Sequence, residues 1–218
     1  MEKLKLAIVI PALNEAANIS KIIDGAKKFG DVIVVDDGSI DQTGNIAKTC
    51  GAILVSNFKS YGYDSSIEIG ILEAKKRGYE ALITIDADGQ HNPNNLGQIK
   101  NKLLNGSDVV LGVRPKNKIT RIAEKIYCFL YGHMSGIHDP LSGMKGYKIK
   151  VYEHLGCFDS YKSIGFELTI FSKKNKYKIT EVNIEISERK GESKFGGYFA
   201  ANYKILKSLI RSISKYGF

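Results

Sequence analysis

The 218-residue chain is long enough for one globular domain, or for one domain with a short appendage. Hydrophobic residues make up 43% and charged residues 25% of it, which excludes a disordered chain and a fibrous repeat. No apolar run approaches the ~20 residues of a membrane-spanning helix, and the apolar run at 6–10 is too short for a secretory signal. The three cysteines lack CxxC spacing, which argues against a disulfide framework or a zinc site and favours a reducing cytosol.

The net charge of +9 is concentrated in two later segments. Residues 114–150 carry eight Lys or Arg against two Asp or Glu, and residues 187–218 carry seven against two. Such a surface is either simply solvated or in contact with a polyanion: nucleic acid, an anionic membrane surface or a phosphorylated substrate. Charge alone does not separate these alternatives.

The first half of the chain alternates short apolar runs with polar segments. The apolar runs predict buried strands at residues 6–10, 32–35, 52–55, 81–85 and 109–111. Helices are predicted between them, from Asn14 or Asn18 to about 29, from Asp41 or Thr43 to about 50, over 64–77, and from Pro93 to about 104. This alternation predicts an α/β fold with a mainly parallel sheet flanked by helices, in which Pro11 closes the first strand.

The pattern changes after residue 113. Helices are predicted over 116–136, 151–155, 164–175 and 198–215, with a half-exposed strand at 179–186. Residues 139–147 are rich in turn-forming residues and are expected to be a loop. No repeat or low-complexity linker divides the chain, so we expect a single domain over residues 1–218.

Two acidic clusters follow predicted strands, where ligands bind in parallel sheets. Asp86 and Asp88 follow the fourth strand, and alternate side chains of an extended backbone share a face, so both carboxylates can aim at one divalent cation. A D-x-D pair alone is weak evidence, since two solvated loop acids give the same pattern. Asp37, after the second strand, is a candidate partner for a ribose or nucleobase, whereas Asp41 and Thr43 fit turn and capping chemistry.

Six motifs together resemble a known family. They are IPALNE (10–15), VDDGSIDQT (35–43), IDADGQH (85–91), GVR (112–114), DPLSG (139–143) and RKGESK (189–194). In this order they resemble the inverting family 2 glycosyltransferases, in the branch similar to dolichol-phosphate mannosyltransferase. Two segments depart from the family pattern and leave the donor open: GVR stands where GSR is commoner, and SYGYDSSIEIG (60–70) replaces a glycine- and lysine-rich stretch.

The resemblance implies a glycosyltransferase A-type fold, a nucleotide-sugar donor, and Mg²⁺ or Mn²⁺ held by Asp86, Asp88 and Gln90. It implies that the donor contacts Pro11, Leu13, Glu15, Asp37, Asp86, Ala87, Asp88 and Gln90. It also implies that Arg114, Arg189 and Lys194 lie around the phosphates of the donor or the acceptor. Ser142 and Gly143 would lie near the acceptor. The candidate catalytic residues are Asp88, Arg114, Arg189, Lys194 and Asp139.

The acceptor decides whether a general base is needed. Charge develops on the leaving phosphates, and cationic side chains stabilise it, arginine through its planar fork. A phosphate-monoester acceptor is largely dianionic near neutral pH and needs no base, whereas a hydroxyl acceptor does. Asp139 is the reserve base, with a loop acid capping the turn before Pro140 as the alternative. The role of Glu167 is open, and a buried structural carboxylate is one reading.

The last predicted helix, 198–215, combines an apolar stripe with a basic face. Such a helix either packs on its own domain or lies on an anionic membrane surface. Residues 116–131 have a similar pattern, and either surface could instead mediate self-association.

The sequence thus predicts metal-dependent, inverting transfer of a sugar from a GDP- or UDP-sugar to a polyprenyl (dolichyl or undecaprenyl) phosphate. We expect a cytoplasmic protein, peripheral at the cytoplasmic face of the membrane, with no nucleic-acid partner. A homo-oligomer or a membrane partner subunit stays open. The alternatives are a family 2 enzyme acting on a saccharide hydroxyl, a magnesium-binding receiver-type signalling domain, and a basic nucleic-acid-binding module with salt-dependent oligonucleotide binding.

Overall fold

A computed structural model describes residues 4–119, 121–187 and 198–216. Its sheet has seven strands in the order β3-β2-β1-β4-β6-β5-β7. Their bounds are β1 Leu6–Ala12, β2 Asp31–Asp36, β3 Ile53–Ser56, β4 Ala81–Thr84, β5 Val109–Val113, β6 Lys145–Lys148 and β7 Ile179–Asn183. Neighbouring strands are parallel except at β6, which runs antiparallel to both β4 and β5. The expected mainly parallel α/β sheet is confirmed.

The helices cover both faces of this sheet. Their bounds are α1 Ile19–Ala26, α2 Thr43–Thr49, α3 Tyr63–Lys76, α4 Asn95–Leu104, α5 Ile122–Ser135, α6 Ile149–Leu155, α7 Phe166–Lys174 and α8 Tyr198–Tyr216. The single helix expected over 116–136 is wrong in its first part. Lys116–Lys118 form a 3₁₀ turn, and Ile119 and Arg121 are extended, so α5 begins only at Ile122.

The side chains of β1 alternate between two apolar cores, one on each face of the sheet. All seven of its residues are buried. Ile8 and Ile10 pack into the core beneath α1, α2 and α4, while Ala7 and Val9 pack into the opposite core beneath α3 and α6. Successive side chains of a strand point to opposite faces, which is why a continuous apolar run is needed where helices cover both.

A third apolar cluster joins α5, α7 and α8. Its rings are Tyr127, Tyr131 and Phe166, with Tyr127 and Tyr131 stacked at 5.1 Å between centroids. The Asn202 side chain accepts a hydrogen bond from the Ala123 amide (2.9 Å), and the hydroxyls of Tyr131 and Ser212 lie 2.5 Å apart. The first contact lies near the N-terminal end of both helices and the second lies nearer their C-terminal ends, so α5 and α8 run parallel.

Two sequence expectations fail within the sheet. Pro11 does not close β1, which continues to Ala12; the pairing with β4 already ends at Val9, so the missing N–H of Pro11 interrupts no ladder there. Residues 145–147 belong to β6 rather than to a loop. Glycine is unfavourable inside a strand, so Gly146 disguised this one as a loop in the sequence. The structure requires a glycine there, because α4 lies so close that a Cβ would meet Ile99 at 2.6 Å.

Candidate active site

The residues singled out in the sequence lie along one edge of the sheet. The parallel strands β2, β1, β4, β5 and β7 all end at this edge, and the antiparallel β6 begins there. It therefore carries Asp37 after β2, residues 11–15 at the end of β1, residues 86–90 after β4, Ser142 and Gly143 before β6, and Arg114 after β5. Arg189 and Lys194 lie outside the described residues.

The loops after β1 and β2 are tied together by side chains. Ser39 and Thr43 accept hydrogen bonds from the amides of Asn14 and Glu15, both at 2.8 Å, and Asp41 accepts one from Ala16 at 3.2 Å. Asp41 also accepts the Thr43 amide in the first turn of α2. These hydrogen bonds support the turn role expected of Asp41 and Thr43. The capping role is wrong, because the N-cap position of α2 is Gln42 and no side chain caps the helix there.

Pro11, Leu13 and Glu15 occupy the end of β1 and the loop that follows it. Pro11 is buried opposite Val35, and Leu13 and Glu15 are half-buried. Glu15 accepts a hydrogen bond from the Asn18 side chain at 3.3 Å. The proximity of this loop to Asp37 is set by the Asp37 amide, which donates to the Ala12 carbonyl at 2.8 Å.

The Asp37 carboxylate is buried and organises the loop after β3. It accepts hydrogen bonds from the Asn57 side chain, the Ser60 hydroxyl and the amides of Tyr61 and Gly62, at 2.6 to 2.9 Å. Burial alone raises the pKa of Asp37, but these hydrogen bonds, led by that from Ser60, outweigh it and hold the pKa below its ordinary value. Four donors fill the usual capacity of a carboxylate. A direct contact of Asp37 with a nucleoside stays a prediction.

Asp86 is held from three sides. Its Oδ1 accepts from the Tyr63 hydroxyl at 2.8 Å, and its Oδ2 lies 3.2 Å from Nε2 of the buried His91. Burial raises the pKa of Asp86, but the hydrogen bond and charge of His91, together with Tyr63, outweigh it and lower the pKa. Gly143 forms the third side, since a Cβ there would lie 2.5 Å from Oδ2.

The rest of the D-x-D turn is fixed mainly by backbone contacts. Ala87 is buried, and Asp88 Oδ1 accepts the Gln90 amide at 3.0 Å. The Gln90 carbonyl in turn accepts the Ser187 amide at 2.8 Å, and His91 forms an antiparallel bridge with Ile186. The turn is thus joined to the chain that follows β7.

Asp86 and Asp88 provide hard oxygen ligands suited to Mg²⁺ or Mn²⁺. Within the described ranges, no three His, Cys, Asp or Glu side chains form a group that could hold a metal. Magnesium commonly takes only one or two protein carboxylates and completes its shell with water and substrate phosphates. The Asp86 oxygens each accept from one neighbour, Tyr63 or His91, and each keeps a lone pair for a further ligand, so the residues fit a cation that is shared with a diphosphate.

Arg114 and Asp139 form a buried ion pair. The Asp139 side chain is fully buried and accepts from Arg114 Nε at 2.8 Å, Nη2 at 2.9 Å and the backbone amide at 3.0 Å. Arg114 Nη1 also lies 3.5 Å from Glu124, which binds Arg121. Burial lowers the pKa of Arg114, but Asp139 and Glu124 outweigh it and raise the pKa. This geometry favours a role for Asp139 in orienting Arg114, and its reserve-base role stays untested.

A second buried charged cluster, which the sequence does not predict, lies against the loop at residues 139–143. Lys145 is almost fully buried and donates to the carbonyls of Pro140 (2.7 Å) and Ile164 (2.5 Å). Burial lowers its pKa to about 8, against the charges of Asp159, Asp139 and Asp64. Burial and the charge of Asp159 raise the pKa of Asp64 to about 7. No local pattern signals this cluster, because its members come from three distant segments.

Glu167 is a fully buried anchor for the end of α8. Its carboxylate accepts from the Ser160 amide and hydroxyl, both at 2.6 Å, from Lys215 at 2.6 Å and from the Tyr216 hydroxyl at 3.0 Å. Burial raises the pKa of Glu167, but the hydrogen bonds from Lys215 and Ser160 outweigh it and lower the pKa. Its contacts support the reading of Glu167 as a structural carboxylate.

Comparison with known proteins identifies what these features are similar to. A family model described as Glycosyl transferase family 2 matches residues 7–155. An uncharacterised protein of Methanocaldococcus jannaschii is 30% identical, over 96% of this chain and 93% of its own length. The polyprenol monophosphomannose synthase of Mycolicibacterium smegmatis is 28% identical, over 87% of this chain and 80% of its own length.

The fold also matches a solved structure. The glucosyl-3-phosphoglycerate synthase of Mycobacterium tuberculosis, crystallised with Mn²⁺, UDP and glucosyl-3-phosphoglycerate, aligns with a TM-score of 0.77 at 21% identity, over 98% of this chain and 80% of that one. The expected glycosyltransferase A-type fold is therefore confirmed. Neither a receiver domain nor a nucleic-acid-binding module predicts these matches.

Proposed function

The chain belongs to glycosyl transferase family 2, and from this premise we propose that it transfers a sugar from a GDP- or UDP-sugar to a polyprenyl phosphate, inverting the anomeric carbon. The choice of acceptor rests on the burial of Asp139 and its hydrogen bonds with Arg114. This carboxylate is fully buried and bound through both oxygens to Arg114, so it is not placed to remove a proton. A phosphate-monoester acceptor is the kind that needs no proton removed.

On the donor side, the proposed residues hold a nucleoside diphosphate at the edge of the sheet. Residues 11–15 and Asp37 would frame the nucleoside, and Asp86, Asp88 and Gln90 would hold Mg²⁺ or Mn²⁺. When bound, the cation would offset charge that develops on the leaving diphosphate.

On the acceptor side, Arg114 would orient the phosphate. Asp139 takes two of the five N–H donors of its guanidinium, which leaves others on Nη1 and Nη2. Its charge is already balanced, because Arg114 and Arg121 face Asp139 and Glu124. A dianionic acceptor therefore needs additional cations, and the family motif offers Arg189 and Lys194 for that role.

We further propose that an anionic membrane surface is the site of transfer. No helix among residues 4–119, 121–187 and 198–216 is both long and apolar enough to cross a bilayer. The parallel helices α5 and α8 instead carry exposed apolar side chains: Ile122, Ile126, Phe129, Tyr203, Leu206, Ile210 and Ile213. Exposed Lys204, Lys207 and Arg211 lie beside them on α8, which is the composition of a helix pair lying on anionic lipid.

The donor half of the proposal is tested by calorimetric titration with GDP and UDP, each with and without Mn²⁺. We expect metal-dependent binding of one nucleotide, which Asp88→Ala abolishes and the exposed control Asp24→Ala retains. Absence of binding for both nucleotides, with and without metal, would contradict the site assignment.

The acceptor half is tested by comparing a polyprenyl phosphate with the corresponding polyprenol and with free saccharides. We expect transfer to the phosphate alone, with a rate that rises on anionic vesicles. Transfer to a saccharide hydroxyl in the absence of lipid would instead favour the alternative acceptor class. Ile210→Glu should reduce vesicle binding, while Leu72→Glu, an exposed apolar residue on α3, should not.

A further inference from the structure

One loop connects the two acidic clusters of the site. Residues 57–62 follow β3 and supply all four hydrogen bonds that Asp37 accepts. The next residue, Tyr63, begins α3 and donates its hydroxyl to Asp86 Oδ1 at 2.8 Å. The conformation that Asp37 imposes on the loop therefore also sets where the Tyr63 hydroxyl lies.

The contact with Tyr63 removes a rotational freedom that Asp86 would otherwise have. His91 Nε2 lies 3.2 Å from the other oxygen, and Gly143 packs against the carboxylate so closely that a Cβ there would lie 2.5 Å from it. With Tyr63 and His91 each using one lone pair of a different oxygen, each oxygen retains one for a further ligand.

We propose that Tyr63 is a positioning residue that holds Asp86 ready for a divalent cation, with its own place set by the Asp37-anchored loop. This inference rests on the proposed function, because it takes Asp86 as a ligand of the donor cation. Groups that orient a metal ligand commonly change metal affinity 10–100-fold when they are removed. Tyr63 itself contributes no ligand in this proposal.

The chain contains a matched control for the loss of such a hydroxyl. Tyr79 is buried and donates its hydroxyl to Asp31 Oδ2, also at 2.8 Å. Asp31 begins β2, so this tyrosine–aspartate pair lies at the opposite edge of the sheet. Tyr63→Phe and Tyr79→Phe thus remove the same kind of hydrogen bond, one inside the site and one away from it.

The test measures Mn²⁺ binding through the electron paramagnetic resonance signal of free Mn²⁺, without nucleotide and again with GDP or UDP present. Tyr63→Phe should weaken Mn²⁺ binding about tenfold, whereas Tyr79→Phe should leave it unchanged. Thermal unfolding without metal checks that both variants are folded. Equal Mn²⁺ affinity in Tyr63→Phe, Tyr79→Phe and the unmutated chain would overturn the positioning role.

A further variant separates failure of this inference from failure of the proposed function. If the unmutated chain binds Mn²⁺ no more tightly than Asp88→Ala under all three conditions, the metal site itself is wrong and the role of Tyr63 is overturned with it. If Asp88→Ala loses binding while Tyr63→Phe retains it fully, only the role of Tyr63 is overturned.

Discussion

Replacing Asp139 by Asn would test what the buried ion pair contributes. The substitution keeps the shape of the side chain and removes its charge, leaving the Arg114 guanidinium, whose side chain is 16% exposed, with weaker compensation. Removing one partner of a buried ion pair typically costs about 3–5 kcal/mol, because the other charge stays buried. Glu124 still lies 3.5 Å from Arg114 Nη1, and Asn retains a carbonyl acceptor, so we expect the lower value, about 3 kcal/mol.

This free energy translates into a large change in thermal stability. For a chain of 150–250 residues, 1 kcal/mol corresponds to about 2–4 °C, so the Tm should fall by about 6–12 °C. Urea unfolding followed by circular dichroism measures the same difference at constant temperature. Glu153→Gln is the matched control, since it removes a charge from the half-exposed pair with Lys75, and such pairs contribute about 0–1 kcal/mol.

Kinetics of Asp139→Asn below its unfolding temperature would then distinguish orientation from base catalysis. If Asp139 orients Arg114, the main effect should be weaker binding of donor or acceptor. An unchanged Tm would refute the assigned energetic role of the pair. A stable variant with unchanged substrate affinity and no turnover would point to Asp139 as a base.

Three further changes probe the surroundings of the site. Gly143→Ala should lower metal-dependent nucleotide affinity by about tenfold or more in calorimetry, because its Cβ would lie 2.5 Å from Asp86 Oδ2. Asp64→Asn should flatten the pH dependence of unfolding free energy between about pH 4 and 7. With its pKa raised to about 7, folded Asp64 keeps a proton that the unfolded chain has released, so stability falls as pH rises through this window. Glu167→Gln should speed amide exchange in the last turn of α8, which Lys215 anchors to it, at a cost of about 1–2 kcal/mol.

Each of these substitutions has a control, which is a substitution of a similar kind at a position away from the group under test. Gly132→Ala adds a methyl group where the nearest described atom lies 3.8 Å away, and it should leave nucleotide affinity unchanged. Asp24 is exposed, so Asp24→Asn should retain the pH dependence of the unfolding free energy of the unmutated chain. Lys204→Gln changes an exposed charge on α8 without altering exchange at its end. A control that behaves like its partner variant would contradict the corresponding assignment.

Local patterns in the sequence were sufficient for most of the sheet and for the acidic turns. β1 is predictable because its apolar run is continuous and both of its faces are covered, and the D-x-D turn is predictable because it directly follows such a run. β6 was not predictable. Its sequence, KGYK, contains Lys145, which is buried and donates to the carbonyls of Pro140 and Ile164, and a glycine that the close approach of α4 requires.

The supports of the site were also beyond local patterns. The hydroxyl of Tyr63 reaches a carboxylate 23 residues away, and Asp139 lies 25 residues from the arginine it binds. Such contacts depend on which strands are neighbours, and strand order follows from packing of the whole sheet rather than from any one segment. The motif of Asp139 marked it as important, but its partner could be identified only in three dimensions.

The central place of β6 has a consequence for how the chain is made. β3, β2, β1 and β4 are complete by residue 84, whereas the strand that covers the free edge of β4 is residues 145–148. During synthesis that edge stays unpaired while more than sixty further residues are added, and an unpaired strand edge is a template for pairing with other chains. A product truncated after α4 is therefore expected to aggregate through β4. This edge is protected only once β6 has been synthesised and has paired with it.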